Sequence, residues 1–414
     1  MKVKQKVQEA CHMLGFEKPR KFQIDPINTL LDERDTLVIA LTSAGKSSIY
    51  QIPAIINAKK GKWTLVIEPL TSLMEDQVHK LNDHGINSGL LTSYNQKDHD
   101  AIQDKIRDGQ VCILYVTAER LQSKAFRRFI KENPPWLVVI DEAHCTLDWG
   151  YSFRSDYLHI SDFIDSLPIR PVVAAFTATA PVEYRKPLCN LLGMKKPEIY
   201  TGSLARNNLV LLKKDCNDCT LEKRLSLLKS SIKKYANNER VIVYCGTCKY
   251  VDLVSNYLMK KYPSEVVKCH AYMNSALRHK NEMRFINGRK HIMVATTAFG
   301  MGIDVPDIRL VVHFNLPLSV IDYYQQIGRA GRDGEKCHAV LLYHRDDIGL
   351  NRYMITHQNL SDQVQEWLMK RLEEMVSIAE SNDCLMQQIL TLLAEEKPST
   401  CRHCTNCQKK RRGN

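Results

Sequence analysis

Short apolar runs at residues 37–39, 64–68, 112–116, 137–140 and 172–176 recur through the first half of the chain, with charged helical stretches between them. Each run is too short for a helix and is apolar at successive positions rather than at every second one. Such runs suit strands buried on both faces. Their alternation with helices reads as a parallel sheet covered on both sides. A second series, at 241–244, 291–295 and 310–313, follows a boundary and first helix within 206–239. At 414 residues, against about 100–200 per domain, the chain is expected to form two tandem α/β parallel-sheet lobes. Residues 346–393 then read as amphipathic helix. In parallel sheets ligands bind at the carboxyl ends of the strands, so the turns after these runs are where chemistry belongs.

The turn after 37–39 contains Ala40-x4-Gly45-Lys46-Ser47, the relaxed form of a phosphate-binding loop. Backbone N–H groups of Thr42, Ser43, Ala44, Gly45 and Ser48 would surround phosphate oxygens at a helix N-terminus. Lys46 would reach the β- and γ-phosphates, and Ser47 would ligate Mg²⁺. Upstream, Phe16, Arg20 and Gln23 group an aromatic face, a cation and an amide, which suits either an ordinary amphipathic helix or a set able to stack on and read an adenine. The run 137–140 delivers two adjacent carboxylates to a strand end. Asp141 can hold the metal, while Glu142 orients and deprotonates an attacking water. The segment 69–77 and Thr117-Ala118-Glu119-Arg120 are polar turns entering helices, suited either to phosphate contacts or to plain capping.

Directly after the carboxylates, Trp149, Phe153 and Arg154 offer a stacking platform with a cation beside it. The hydroxyls of 177–180 close the first lobe. In the second lobe Gly246-Thr247, the turn 296–304 ending in Asp304, and 323–334 repeat the pattern of polar turns after strands. The last holds Gln325 with Arg329 and Arg332, three apart and on one face if helical. Fixed guanidiniums facing a nucleotide would act as arginine fingers.

Fifty-eight Lys+Arg against 46 Asp+Glu give a net charge of +12, an excess that favours a polyanionic partner. No apolar run is long enough for a membrane span, and the lysine-rich start lacks the apolar core of a signal peptide. The 14 cysteines are therefore expected as reduced thiols or metal ligands in an intracellular protein. Cys384, Cys401, Cys404 and Cys407 are spaced for a closed tetrahedral Zn²⁺ site, with His403 as an outside candidate ligand. Cys216-x2-Cys219 and Cys245-x2-Cys248 have similar spacing, but Cys245 ends a buried strand and reads as a core thiol. The basic tail 409–412 reads as a solvated segment able to touch phosphate.

Taken in order, these strings resemble the RecQ family of superfamily 2 DNA helicases across residues 10 to 408. The resemblance rests on Gly45-Lys46-Ser47 with Tyr50-Gln51-Ile52-Pro53-Ala54, on 69–77, 141–145, Trp149-Gly150, Phe153-Arg154, 177–180, 298–304 and 325–334, and on the terminal cysteines. It implies two RecA-like lobes, 1–204 and 205–345, a helical zinc-binding subdomain, 346–408, and a basic tail, 409–414. It implies an ATP-dependent 3′→5′ DNA helicase that uses MgATP to move along single-stranded DNA and unwind tailed duplexes in DNA repair or recombination. Phe16, Arg20 and Gln23 would contact adenine, and Lys46, Ser47, Asp141 and Glu142 would bind and hydrolyse MgATP. Gln325, Arg329 and Arg332 would complete the site. Trp149, Phe153 and Arg154 would couple DNA to hydrolysis, and Cys384, Cys401, Cys404 and Cys407 would hold zinc.

Some positions depart from the family. Leu41 and Ser43 stand where it has Pro and Gly, Asp148 and Tyr151 where it has Gln and His, and Leu385 and Met386 where it has an Arg pair. A core without winged-helix and HRDC domains is expected, which leaves open a DNA-stimulated translocase without unwinding. A non-catalytic DNA-binding scaffold is the alternative from another class; the intact Lys46, Asp141, Glu142, Arg329 and Arg332 weigh against it. Stacking and phosphate contacts also tolerate RNA. The expected compartment is the nucleus in a eukaryote and the cytoplasm in a bacterium.

Overall fold

A computed structural model describes every residue except 1, 42–43, 93–94, 147–154, 179, 298, 300–304, 359, 394–397 and 413–414. The chain divides into two compact units, Met1–Leu204 and Ala205–Asn414.

In the first unit the described strands are β1 (Thr36–Ile39), β2 (Thr64–Ile67), β3 (Ser88–Leu91), β4 (Ile113–Val116), β5 (Leu137–Ile140), β6 (Val172–Thr177) and β7 (Glu198–Thr201). They pair in parallel in the order β3-β4-β2-β5-β6-β1-β7. All five apolar runs are strands of this sheet. The reason for their unbroken apolarity is visible in the packing. Leu37, Ile39, Leu65 and Ile67 enter one hydrophobic cluster, whereas Val38, Ala40 and Val66 enter the cluster on the other face. Two strands have no counterpart among those runs. Both lie at the sheet edges: β3 is buried only at alternate positions, and β7 is largely exposed. An edge strand packed on one side needs no apolar run, so the pattern weakens there.

Register places the functional turns side by side. Ile39 of β1 pairs with Thr177 of β6, Ile140 of β5 pairs with Ala175 of β6, and Ile67 of β2 pairs with Ile140. The ladder continues one residue further through Ala40 N–H to Thr177 O at 3.0 Å and Asp141 N–H to Ile67 O at 3.0 Å. The turns after β1, β5 and β6 therefore leave the sheet at one level.

The second unit has its own parallel sheet of described strands: β8 (Leu209–Asp215), β9 (Arg240–Tyr244), β10 (Val266–Cys269), β11 (Ile292–Ala295), β12 (Ile308–His313) and β13 (Cys337–Tyr343). Their order is β10-β11-β9-β12-β13-β8. The stretch 206–239, expected as a boundary and a helix, holds strand β8 before the helix Leu221–Tyr235. This strand begins Leu-Val-Leu-Leu but ends Lys-Lys-Asp, because only its first half is buried at the sheet edge. Helices Asp346–Thr356, Asp362–Glu380, Leu385–Leu392 and Thr405–Arg412 complete the unit. Among the described residues no helix is long and apolar enough to cross a membrane.

A buried polar network braces the carboxyl ends of this second sheet. Arg224 from the helix Leu221–Tyr235 meets Asp347 at 2.5 Å and donates to the carbonyls of Phe314 and Leu342. Asp347 also accepts from Asn315 Nδ2 at 2.8 Å and Leu316 N–H at 2.9 Å. Asn315 Oδ1 in turn accepts the N–H of Gly246 at 3.0 Å, fixing the turn after β9. Removing one member leaves a buried charge unpaired. Asp347→Ala should therefore cost the second unit about 3–5 kcal/mol, read as a lowered urea midpoint by circular dichroism. An unchanged midpoint would show that the network is not a brace.

Candidate nucleotide site and zinc centre

The loop after β1 ends at Gly45, which caps the helix Lys46–Ala58 in the left-handed conformation at φ 74°. A Cβ there would stand 2.7 Å from Gln23 Nε2, so only glycine fits. Gln23 is 3% exposed, and both ends of its amide are engaged. Oε1 accepts the N–H of Arg20 at 2.8 Å, and Nε2 donates to Ala44 O at 3.2 Å and Gly45 O at 2.9 Å. The adenine-reading residue expected from sequence thus also holds the phosphate loop. Phe16, half-buried, packs against the same core cluster as Ala44, while Arg20 is exposed.

Lys46 is 5% exposed and donates Nζ back to Ala40 O at 3.3 Å. Ser47 and Ser48 follow it, half-buried, in the first helical turn. Burial, with the neighbouring Glu142 charge, holds the Asp141 carboxyl above the ordinary carboxylate range, while the Lys46 ammonium opposes this. That electrostatic reach places Lys46 and Asp141 in one site. Asp141 Oδ1 accepts the N–H of Glu142 at 2.8 Å, and Glu142 takes a left-handed φ of 48°. Non-glycine residues in that region carry strain that accumulates at functional turns. His144 Nδ1 stands 3.2 Å from Glu142 Oε2 and 3.1 Å from Thr177 Oγ1 at the end of β6. The second carboxylate is therefore linked through one imidazole to the next strand.

In the second unit, helix Val320–Ile327 carries Gln325 and is capped by the Ser319 hydroxyl, which accepts the Asp322 N–H at 3.0 Å. Its neighbour Gln326 accepts from His313 Nε2 at 2.7 Å, and His313 is kept neutral by burial, its pKa depressed to about 4. The helix ends before the arginines, so Arg329 and Arg332 lie in turns rather than on a helical face. Within this turn Gly331 takes φ 59°, with Cys337 and Asn208 where its Cβ would stand. Both arginines nonetheless converge on the buried hydroxyl of Tyr244 at the end of β9; burial raises that phenol's pKa and both guanidiniums oppose the shift.

Sequence reasoning missed the residue that shapes this turn. Arg206, buried, donates to Gly328 O at 3.1 Å and to the carbonyls of Ala330 and Gly331 at 2.7 Å each. No local spacing marks it, because its partners lie more than a hundred residues onward. Thr42, Ser43, Trp149, Phe153, Arg154 and Asp304 lie outside the described residues.

The four terminal thiols converge. Atoms of Cys384, Cys401, Cys404 and Cys407 all lie within 4.8 Å of one another, with Cys384 and Cys401 sulfurs 3.5 Å apart. Four sulfurs about 2.3 Å from a tetrahedral Zn²⁺ would stand about 3.8 Å apart, so the set fits that ion. The Cys401 thiol and the N–H groups of Cys407 and Leu385 donate to Cys404 and hold its pKa below that of an ordinary thiol. A cluster in which one thiol already favours the thiolate suits a cation. His403 is not part of it: its Nε2 lies 3.1 Å from Leu209 O. Cys216, Cys219, Cys245 and Cys248 form no such cluster among the described residues. Cys216 and Cys245 are instead core residues of the second sheet, with Cys219 packed against them.

Three family models match in sequence order: DEAD/DEAH box helicase at residues 20–186, helicase conserved C-terminal domain at 222–334, and RecQ zinc-binding at 345–408. The ATP-dependent DNA helicase RecQ of Bacillus subtilis is 36% identical over 406 residues, covering 96% of this chain and 66% of that protein. R290 of Acanthamoeba polyphaga mimivirus, which carries the name of an ATP-dependent RNA helicase, is 34% identical over 405 residues, covering 95% of this chain and 70% of its own length. Among solved structures, the DEAD-box helicase Mss116 bound to ssRNA and UDP-BeF shares the fold with a TM-score of 0.67 at 19% identity, covering 94% of this chain and 88% of that one. Fold and site together define tandem RecA-like helicase units with a helical, cysteine-bearing C-terminal region. The chain belongs to the RecQ family. It spans 62–66% of the length of the bacterial RecQ relatives it matches.

The thiol cluster makes a direct prediction. Purified chain should carry one zinc by atomic emission, and Cys404→Ser should lose it, since a structural site needs all four ligands. Full metal retention in that variant would remove the assignment.

Proposed function

We propose that the chain is an ATP-dependent DNA helicase that moves 3′→5′ along single-stranded DNA and separates tailed duplexes. The observation that carries this reading is the first-unit site, where a glycine-capped loop, a buried lysine and a pair of carboxylates meet at neighbouring strand ends. The name borne by the Bacillus subtilis relative supports DNA as the track. In this reading Phe16, Arg20 and Gln23 hold the adenine, and Ala44, Gly45, Lys46, Ser47 and Ser48, with Thr42 and Ser43, hold the phosphates. Ser47 and Asp141 hold Mg²⁺, a hard cation that takes oxygen ligands and neutralises charge on the phosphates.

Glu142 accepts the proton of the attacking water, and His144 keeps its carboxylate oriented. Gln325, Arg329 and Arg332 stabilise the charge that develops on the transferred phosphate, and Asp304 belongs with the residues that bind the nucleotide. Trp149, Phe153 and Arg154 stack on bases and report strand occupancy to the carboxylate pair. Hydrolysis releases the closed state, so each cycle of ATP advances the protein along the strand. The work belongs to DNA repair and recombination.

Glu142→Gln keeps the shape of the site and removes its base. Its turnover with single-stranded DNA present should fall by about 10²–10⁴, with nucleotide binding retained. An unchanged ATPase rate would mean that hydrolysis does not run through Glu142. Polarity is read separately, on duplexes with one tail: a 3′ tail should support ATP-dependent strand separation and a 5′ tail should not. ATPase activity stimulated by DNA without separation of either substrate would leave a translocase.

A further inference from the structure

A cavity of about 560 Å³ opens at the amino ends of β8 and β13, beside the turn that runs from Arg329 to Gly334. Lys234, Tyr235, Lys336, His338, His403 and Gln408 belong to its polar and aromatic lining, with Asn207 and Asn208 beside them, and no carboxylate lines it among the described residues. The Tyr235 and His338 rings lie 4.6 Å apart, tilted by 34°, and the Lys234 ammonium sits 5.2 Å from the tyrosine centroid. His338 Nδ1 is buried without a hydrogen-bond partner. Burial, then the charges of Lys336 and Lys234, disfavours a proton on that imidazole, so both ammonium groups converge on the same place. Lys214 also feels Lys234.

Lysines on a surface are usually no more than a solvated face. Three features separate this cluster from that reading. The cations converge on a concavity whose size falls in the range of about 300–1,000 Å³ typical of ligand sites. The ammonium groups at its wall can only donate hydrogen bonds, whereas phosphate oxygens can only accept them. A buried ring nitrogen without a partner stands at the wall, where an unmet polar atom is costly. Beyond Gln408 the basic character continues along the helix Thr405–Arg412, where Lys409 is near enough to act on Lys213. A tract longer than one anion favours a chain of phosphates over a single small one.

We propose that this cavity is a second nucleic-acid contact, holding a backbone phosphate between Lys234 and Lys336 at the amino ends of β8 and β13. The assignment rests on the reading of the chain as a nucleic-acid motor. The stacked Tyr235–His338 pair forms the wall, and the Lys409 side of the terminal helix carries the neighbouring phosphate.

The test uses the full zinc-loaded chain and a labelled single-stranded oligonucleotide, with affinity followed by anisotropy between low and moderate salt. Loss of the one phosphate held between them, worth about 0.7 for single strands, should make the slope of log K against log salt in Lys234→Ala/Lys336→Ala shallower by about 0.7. Lys234→Arg/Lys336→Arg should retain the wild-type slope. Equal zinc content and melting temperature in all three proteins confirm that they are folded. A double alanine variant with wild-type slope and affinity overturns this site while leaving the motor reading intact. Wild type that binds no oligonucleotide removes both. Should the double variant lose only stabilisation by inorganic pyrophosphate in thermal melts and keep its DNA slope, the cavity takes free phosphate and the backbone assignment falls.

Discussion

The shared direction of the strands is the constraint from which the rest of the first unit follows. In a parallel ladder every carboxyl end emerges on one edge, so residues far apart in sequence become neighbours without any contact between their side chains. Ala40 is joined to Thr177 by a backbone hydrogen bond that continues the pairing of β1 with β6, and Asp141 comes beside them because β5 pairs with β6, Ile140 opposite Ala175. Lys46 and the carboxylate pair inherit that placement. The buried charge of Asp141 is tolerable only because a lysine ammonium and the Glu142 N–H lie within its reach.

Turns that carry chemistry must leave regular structure, and their backbone groups then lose ladder partners. The two units solve this in the same way, with a buried polar side chain that reaches from a distant segment. Gln23 takes up the Ala44 and Gly45 carbonyls of the phosphate loop. Arg206 takes up three carbonyls around Arg329, and Asn315, held by Asp347, takes up the N–H of Gly246. A loop clamped in this way keeps an irregular path with little conformational freedom. Such pre-organisation is what a phosphate-binding turn or a guanidinium donor requires.

This division explains how much of the molecule was legible in its sequence. Central strands such as β5, Leu-Val-Val-Ile, are buried on both faces, so composition alone reveals them. Edge strands β3 and β7 carry half that burial or less, and Gly89 or Glu198 then passes for loop. Asp141, Glu142 and Lys46 were legible because their chemistry admits few other residue types at that spacing. Arg206 was not, since a clamp on carbonyls over a hundred residues away leaves no local pattern. The arginine pair was legible as a pair but not in its geometry, because the helix ends at Ile327, with Gly328 as its cap, before the path their spacing suggested.

The four thiols serve the sheet as well as themselves. Strand β8 is the outer strand of the second sheet, and an open edge presents unpaired N–H and C=O groups to any passing strand. Here the cysteine-bearing segment covers it with side chains rather than with another strand. Thr405 Oγ1 accepts the Lys213 N–H at 2.9 Å, and His403 Nε2 lies 3.1 Å from Leu209 O. A carbonyl can only accept, so the imidazole proton sits on Nε2 and that nitrogen is spent on the strand. This is why a histidine between two clustered cysteines stays outside the cluster. Asn406 adds bonds to the carbonyls of Ser381 and Asp383, tying the same segment to the turn before Cys384. A short helix with so few apolar contacts could not hold this position by packing alone. A metal held by the four sulfurs would tie this segment to Cys384, so closure of the sheet edge would depend on the same thiols.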